Sequence, residues 1–158
     1  MDNGAPVKDR KQIELVNAAR RGDVLELNRV LAEGAKADQP DPLTKELPLD
    51  VAAAEGHGEA VALLLKVGAP IATPRQLSPL LRLVGAMEAR ARSRQLDAGT
   101  VNRYLGVAKQ LLAAGCKPDA RFFGFDPVSV AREMKCQPLV ELLESAIPAK
   151  PAGKKKNK

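Results

Sequence analysis

The stretch that decides the fold is Leu47-Pro48-Leu49-Asp50-Val51-Ala52-Ala53-Ala54-Glu55-Gly56-His57. Pro48 suits the first position of a helix, where its missing N–H is not needed, and Gly56 can end that helix at low cost. One face of the helix is apolar because Leu49, Ala52 and Ala53 fall on it. The stretch therefore predicts a short helix followed by a tight turn.

The residues after this turn predict a second helix. Its apolar residues recur at helical spacing, and they are Ala60, Val61, Leu64 and Leu65. Gly68 then supplies a left-handed residue that closes the helix. The unit is therefore a helix, a tight turn, a second helix and a glycine stop.

The unit recurs along the chain. Residues 15–38 match residues 49–72 at an offset of 34, and the matches include Gly22 on Gly56 and Gly34 on Gly68. Repetition at a fixed spacing is typical of proteins built from stacked supersecondary units.

Two further units follow. The third runs from Ser78-Pro79, where Ser78 is a good N-cap, to Gly115-Cys116, and it is 16 residues longer than the second. We place this insertion at about residues 86–103. The fourth unit begins at Asp126-Pro127 and returns to the standard length. Its weak turn, at Lys135 and Cys136, fits a terminal capping repeat.

These residues resemble the ankyrin-repeat family, whose usual repeat reads TPLHxAA, two residues, GH or GD, a VVxLL stretch and GA. Residues 47–57 follow the first part of this pattern, with Leu47 in place of the capping threonine and Asp50 in place of the histidine. The resemblance covers about residues 11–146. It implies an all-α fold, an ankyrin-repeat solenoid of stacked helix-turn-helix units.

The repeats divide the chain into three segments. We expect a flexible N-terminal segment at 1–10, an ankyrin-repeat domain at 11–147 and a disordered basic tail at 148–158. No uninterrupted apolar run is long enough to cross a membrane, and residues 1–11 are polar. We therefore expect a cytoplasmic protein without a membrane-bound part.

The positive charge is concentrated in the tail. The chain carries a net charge of +6, and five lysines between Lys150 and Lys158 leave residues 1–149 at +1. Such a tail can bind nucleic acid weakly, although blocks of like charge are more often solvated. A nucleic-acid or ribosome-associated protein that binds through this tail is therefore the alternative function.

Catalytic and metal-binding patterns are missing from the sequence. The cysteines Cys116 and Cys136 form no CxxC pair, and His57, the only histidine, falls at the turn position where ankyrin repeats place histidine or aspartate. We expect His57 to form structural hydrogen bonds. The glycines form neither a GxGxxG motif nor a P-loop. We accordingly expect no enzymatic activity, no metal and no cofactor.

Ankyrin repeats as a family bind partners on a concave surface made from the loops between units and the edge of each first helix. The loop before the fourth unit contains all three phenylalanines, in Arg121-Phe122-Phe123-Gly124-Phe125. Aromatic and arginine side chains dominate interface energies, so Arg121, Phe122 and Phe123 are candidate partner-binding residues. We expect one ring, that of Phe125, to pack into the core.

Other charged residues complete the candidate surface. Asp41 lies in the mixed-charge loop 36–46, where the charges can equally be merely solvated, and Arg75 lies in the next loop. Arg90, Arg92 and Arg94 lie in the insertion, whose first part, 87–94, extends the first helix of its unit. Their two-residue spacing spreads them around that helix, which favours a solvated extension over an acidic docking site.

Two details of the insertion are also predicted. Thr100 is a candidate N-cap for the second helix of the third unit, and Tyr104 would start that helix and help to pack the insertion. The sequence as a whole predicts a monomeric protein-protein interaction module, either an adaptor or an inhibitor of the immunity type. It does not identify the partner protein.

Overall fold

The computed structural model describes residues 6–72 and 77–149 of the chain, and these residues contain eight helices. The helices are α1 (Val7–Arg21), α2 (Val24–Ala32), α3 (Pro48–Glu55), α4 (Gly58–Lys66), α5 (Pro79–Arg92), α6 (Ala98–Ala113), α7 (Pro127–Glu133) and α8 (Gln137–Ser145). The prediction of an all-helical chain is confirmed for this part of the sequence.

The helices pack as four consecutive pairs in two layers. Each odd-numbered helix contacts the even-numbered helix that follows it. The first helices of the pairs also contact one another in chain order, α1 with α3, α3 with α5 and α5 with α7, and the second helices do the same. One core runs between the layers, because the buried apolar residues of all four pairs form a single cluster.

The helices of the second pair form where the sequence predicts them. Pro48 is the first residue of α3, and Gly56 ends it with a left-handed φ of 75°, which places the Gly56 N–H within 3.1 Å of the Ala53 oxygen. Gly68 closes α4 in the same way with a φ of 86°. The predicted apolar face of α3 is fully buried.

His57 joins the turns of the first two pairs. Its Nε2 atom lies 3.0 Å from the backbone oxygen of Arg20, and its ring packs so closely on Gly22 that a Cβ there would lie 2.6 Å from ring atoms. Gly22 has a φ of 70°. A glycine is therefore needed at position 22 both for its backbone conformation and for the space that the ring fills.

The insertion lengthens both helices of the third pair. Helix α5 has 14 residues against 8 in α3, and α6 has 16 against 9 in α4. The predicted extension of α5 is confirmed as far as Arg92. The predicted N-cap Thr100 is wrong: Asp97 caps α6, and its Oδ1 accepts the N–H of Thr100 over 2.6 Å. Tyr104 accordingly lies within α6 and does not start it.

The described residues begin before the predicted start of the domain at residue 11. Helix α1 begins at Val7, so it starts within the segment 1–10 that we expected to be flexible. Residues 1–5, the loop residues 73–76 with the candidate Arg75, and residues 150–158 of the predicted basic tail lie outside the described residues. In the part of the chain that the structure describes, no helix is long and apolar enough to cross a membrane.

Candidate partner-binding surface

The segment Arg121–Asp126 forms a tight hairpin, which we call the aromatic hairpin. Phe122 and Phe125 exchange both backbone hydrogen bonds, with N···O distances of 2.8 and 3.0 Å. The two residues between them, Phe123 and Gly124, have φ values of 48° and 86°. Positive φ at both central positions is the conformation of a two-residue type I′ turn. Phe123 therefore lies at the tip of the hairpin.

The rings of the aromatic hairpin divide between core and solvent. Phe122 is half-buried against the hydrophobic core and meets the Phe123 ring edge to face, with 4.6 Å between centroids. Phe123 is 87% exposed and Phe125 is 58% exposed. The expected division is present, but Phe125 was wrongly predicted to pack inside. Asp126 and Pro127 are themselves buried beside it and occupy that part of the fold.

The buried Asp126 is the last residue of the aromatic hairpin and the N-cap of α7. Its Oδ1 accepts the N–H of Ser129 and its Oδ2 accepts the Ser129 hydroxyl, which caps α7. Burial opposes ionisation of this carboxyl, yet the two bonds from Ser129 hold its pKa below the usual range. Arg121 lies 3.9 Å from Oδ2 with its side chain 78% exposed. Its guanidinium is therefore largely available to a partner.

Asp41, one of the predicted partner-binding residues, has a structural role. It is buried, and its Oδ1 accepts the N–H groups of Leu43 and Thr44 over 2.7 and 3.2 Å. An aspartate that bonds to the backbone two residues ahead is a common way to fix a turn. Leu43 is an exposed large apolar side chain of this loop, which the charge pattern of the loop did not indicate.

The arginines of the insertion are mostly engaged within the chain. Arg90 pairs with Glu55 at 2.9 Å and lies over the ring of Tyr104, while Arg92 pairs with Glu88 on the same helix. Arg94 is exposed just beyond α5 with a φ of 57°. The three side chains do not form one cationic cluster. This agrees with their two-residue spacing, which spreads them around the helix.

Tyr104 anchors the insertion to the second pair. It is fully buried, and its hydroxyl donates a hydrogen bond of 2.7 Å to the backbone oxygen of Ala54. Burial raises the pKa of this phenol above its usual value. A Cβ at Gly56 would lie 3.2 Å from the Tyr104 ring. The insertion therefore packs on the turn between α3 and α4, as we expected for Tyr104.

Those predicted site residues that the structure describes near α5 fall at opposite ends of that helix. Burial raises the pKa of Cys116, at the start of the loop that carries the aromatic hairpin, to about 11, and the nearby backbone of Leu80 at the beginning of α5 opposes this rise. Arg90 and Arg92 lie near the other end of α5, about 15 and 18 Å from Leu80 at 1.5 Å per residue. We call the end of α5 near Leu80 the loop end and the end near Arg92 the turn end. The candidates therefore do not form one continuous site.

A buried ion pair at the loop end was not predicted from the sequence. Asp50 of α3 is 1% exposed, and its Oδ2 lies 3.3 Å from Nε of Arg82 on α5. The two atoms lack the alignment of a hydrogen bond. Burial raises the Asp50 pKa to about 6; the charge of Arg82 opposes this change and that of Glu46 adds to it. The sequence feature that could have indicated this ion pair is the presence of Asp50 at the position where the ankyrin pattern has a histidine.

The chain matches no protein-family model, and a search of curated proteins found no match to it. In the described residues no group of three histidine, cysteine or acidic side chains is placed to hold a metal ion.

Proposed function

We propose that this chain is a non-catalytic protein-binding module built as an ankyrin-repeat solenoid. The sequence repeat, the four helix pairs and the contacts between like helices support this architecture, because stacked units of a repeat protein contact mainly their neighbours. Whether the module acts as an adaptor or as an inhibitor depends on the partner.

The observation that carries the proposal is the exposure of two phenylalanine rings on a rigid turn. Exposed aromatic side chains next to an arginine provide the residue types that dominate binding energy in protein interfaces. The type I′ turn fixes the backbone beneath Phe123, so little backbone entropy would be lost on binding. Phe123, Phe125 and Arg121 are the proposed contact residues.

Affinity capture from the native lysate tests this proposal. The full chain serves as bait beside a Phe123→Ala, Phe125→Ala double variant, and retained proteins are identified by mass spectrometry. Leu25→Ala is the matched control, because Leu25 is another exposed large apolar residue, on α2. We expect a partner that the wild type and the control retain and the double variant loses, with unchanged helical circular dichroism.

The competing outcome is retention of the same partner by all three baits. That result would exclude the aromatic hairpin as the binding site. A further bait that lacks residues 150–158 identifies any nucleic acid or protein captured through the lysine-rich tail alone, because such binding would disappear with the tail and weaken steeply with salt.

A further inference from the structure

Two ion pairs connect α3 with α5, a third connects α1 with Glu46 in the loop before α3, and one of the three differs from the others. Arg20 pairs with Glu46 at 2.6 Å, and Arg90 pairs with Glu55 at 2.9 Å. In both, the acid and the base are partly exposed and hydrogen-bonded to each other. Their charges are therefore satisfied at the surface.

In the third ion pair, between Asp50 and Arg82, the acid is buried and the base is partly exposed. Asp50 is 1% exposed, whereas the Arg82 side chain is 28% exposed. The contact joins Oδ2 of Asp50 to the inner nitrogen of the guanidinium, Nε. Among the described residues, no side chain or backbone oxygen forms a hydrogen bond with Arg82. Asp50 therefore lies against the inner side of the guanidinium, and no described residue is hydrogen-bonded to the two terminal nitrogens.

The face of α5 beside Arg82 is formed by small residues, so another chain can approach the helix closely. Gly85 lies one helical turn further along α5 and is exposed, with no atom within 4 Å of where its Cβ would be. The next residues on this face are Ala86 and Ala89, which are also small. A guanidinium fixed at the edge of such a surface can bind a carboxylate through two parallel hydrogen bonds.

We propose that Arg82, which lies beside the buried Asp50, is the docking point for a carboxylate of an acidic segment of the partner protein, and that this segment lies along α5 over Gly85. This inference rests on the proposed protein-binding function and specifies the chemistry of the partner. The loop that carries the aromatic hairpin begins against Leu80 and so reaches the same end of α5. A segment that carries both acidic and apolar residues would therefore suit this end of the molecule.

Selection of random peptides displayed on phage, with the full chain as target, tests the partner chemistry. We expect the selected peptides to be enriched in aspartate and glutamate. Binding of the synthetic peptides is then measured by fluorescence anisotropy. Peptides without an acidic bias, or no selected peptide at all, would overturn the proposal.

Two variants test the docking point itself. Arg82→Lys keeps a positive charge beside Asp50 but loses the planar fork, and Gly85→Glu places a competing carboxylate one turn from Arg82. Each should weaken peptide binding at least about tenfold, the loss expected for one charged hydrogen bond. Gly106→Glu is the matched control, because Gly106 is also an exposed helical glycine with open space around it, on α6.

The outcomes separate this inference from the proposed function. Equal binding by Gly85→Glu and Gly106→Glu would overturn the α5 docking site, even if the aromatic hairpin is required. Conversely, peptides that need Arg82 but still bind the Phe123→Ala, Phe125→Ala variant would support the docking site and reject the hairpin. Binding of a single-stranded oligonucleotide with the same dependence on Arg82 would replace the acidic protein segment by a nucleic acid and overturn the proposal. Unchanged thermal unfolding of Arg82→Lys shows that the fold is intact.

Discussion

The aromatic hairpin and the insertion both contain aromatic and arginine side chains, but the structure uses them in opposite ways. In the insertion, Tyr104 is buried and its hydroxyl bonds to the main chain, while Arg90 is paired with Glu55. In the aromatic hairpin, Phe123 and Phe125 remain exposed and Arg121 has only a distant acid. Residue types that suggest an interface therefore indicate one only where the fold has not already satisfied them.

Truncation of an aromatic residue in each region gives the largest expected difference. Tyr104→Ala removes a fully buried ring and should lower the free energy of unfolding by about 3–5 kcal/mol. Phe123→Ala removes an exposed ring and should change it by no more than about 0.5 kcal/mol. Urea unfolding followed by circular dichroism measures both. Equal losses in the two variants would contradict the division of roles.

The buried Asp50 lies between the two regions and gives the protein a pH-dependent stability. Its folded-state pKa of about 6 exceeds the ordinary value of 3.8, so the folded protein holds this proton to a higher pH than the unfolded chain does. Stability from this group is therefore fully present below about pH 4 and is lost as the pH rises through 6, by up to about 3 kcal/mol.

Asp50→Asn removes that titration. We expect the difference in unfolding free energy between the variant and the wild type to change across this pH window and to be constant above it. Urea unfolding at a series of pH values provides the measurement. A parallel pH profile for the two proteins would show that Asp50 is not the titrating group.

Two left-handed glycines provide a matched comparison of the regions. Gly56→Ala should cost about 2 kcal/mol, because it adds a Cβ against Tyr104 to the strain of a positive φ. Gly124→Ala, in open space at the hairpin tip, should cost about 1 kcal/mol from the backbone alone. Thermal unfolding monitors both. In the background of Tyr104→Ala the excess cost at Gly56 should disappear, and its persistence would argue against the Tyr104 contact.

Local signals in the sequence predicted most of the helical structure. Pro48 and Gly56 begin and end α3 because their backbone preferences act wherever they occur. The N-cap of α6 was misplaced because Asp97 and Thr100 are both good capping residues, and only the helix start distinguishes them.

The candidate surface was less predictable because it depends on contacts between units. The division of the rings was expected, but which phenylalanine is buried depends on the space beside Pro127. The burial of Asp41 depends on how its loop folds around the carboxylate. The contact between Asp50 and Arg82 joins residues of different units, and neither residue alone shows that the other lies beside it.

The insertion also has a consequence for the order in which the chain folds. Each helix pair contacts mainly its neighbours, and the most extensive contact between helices is that of α3 with α5. Tyr104 and Arg90 both strengthen the boundary between the second and third pairs. The second and third pairs should therefore form the folding nucleus, from which structure propagates to both ends, and the first and last pairs should open first in amide hydrogen exchange.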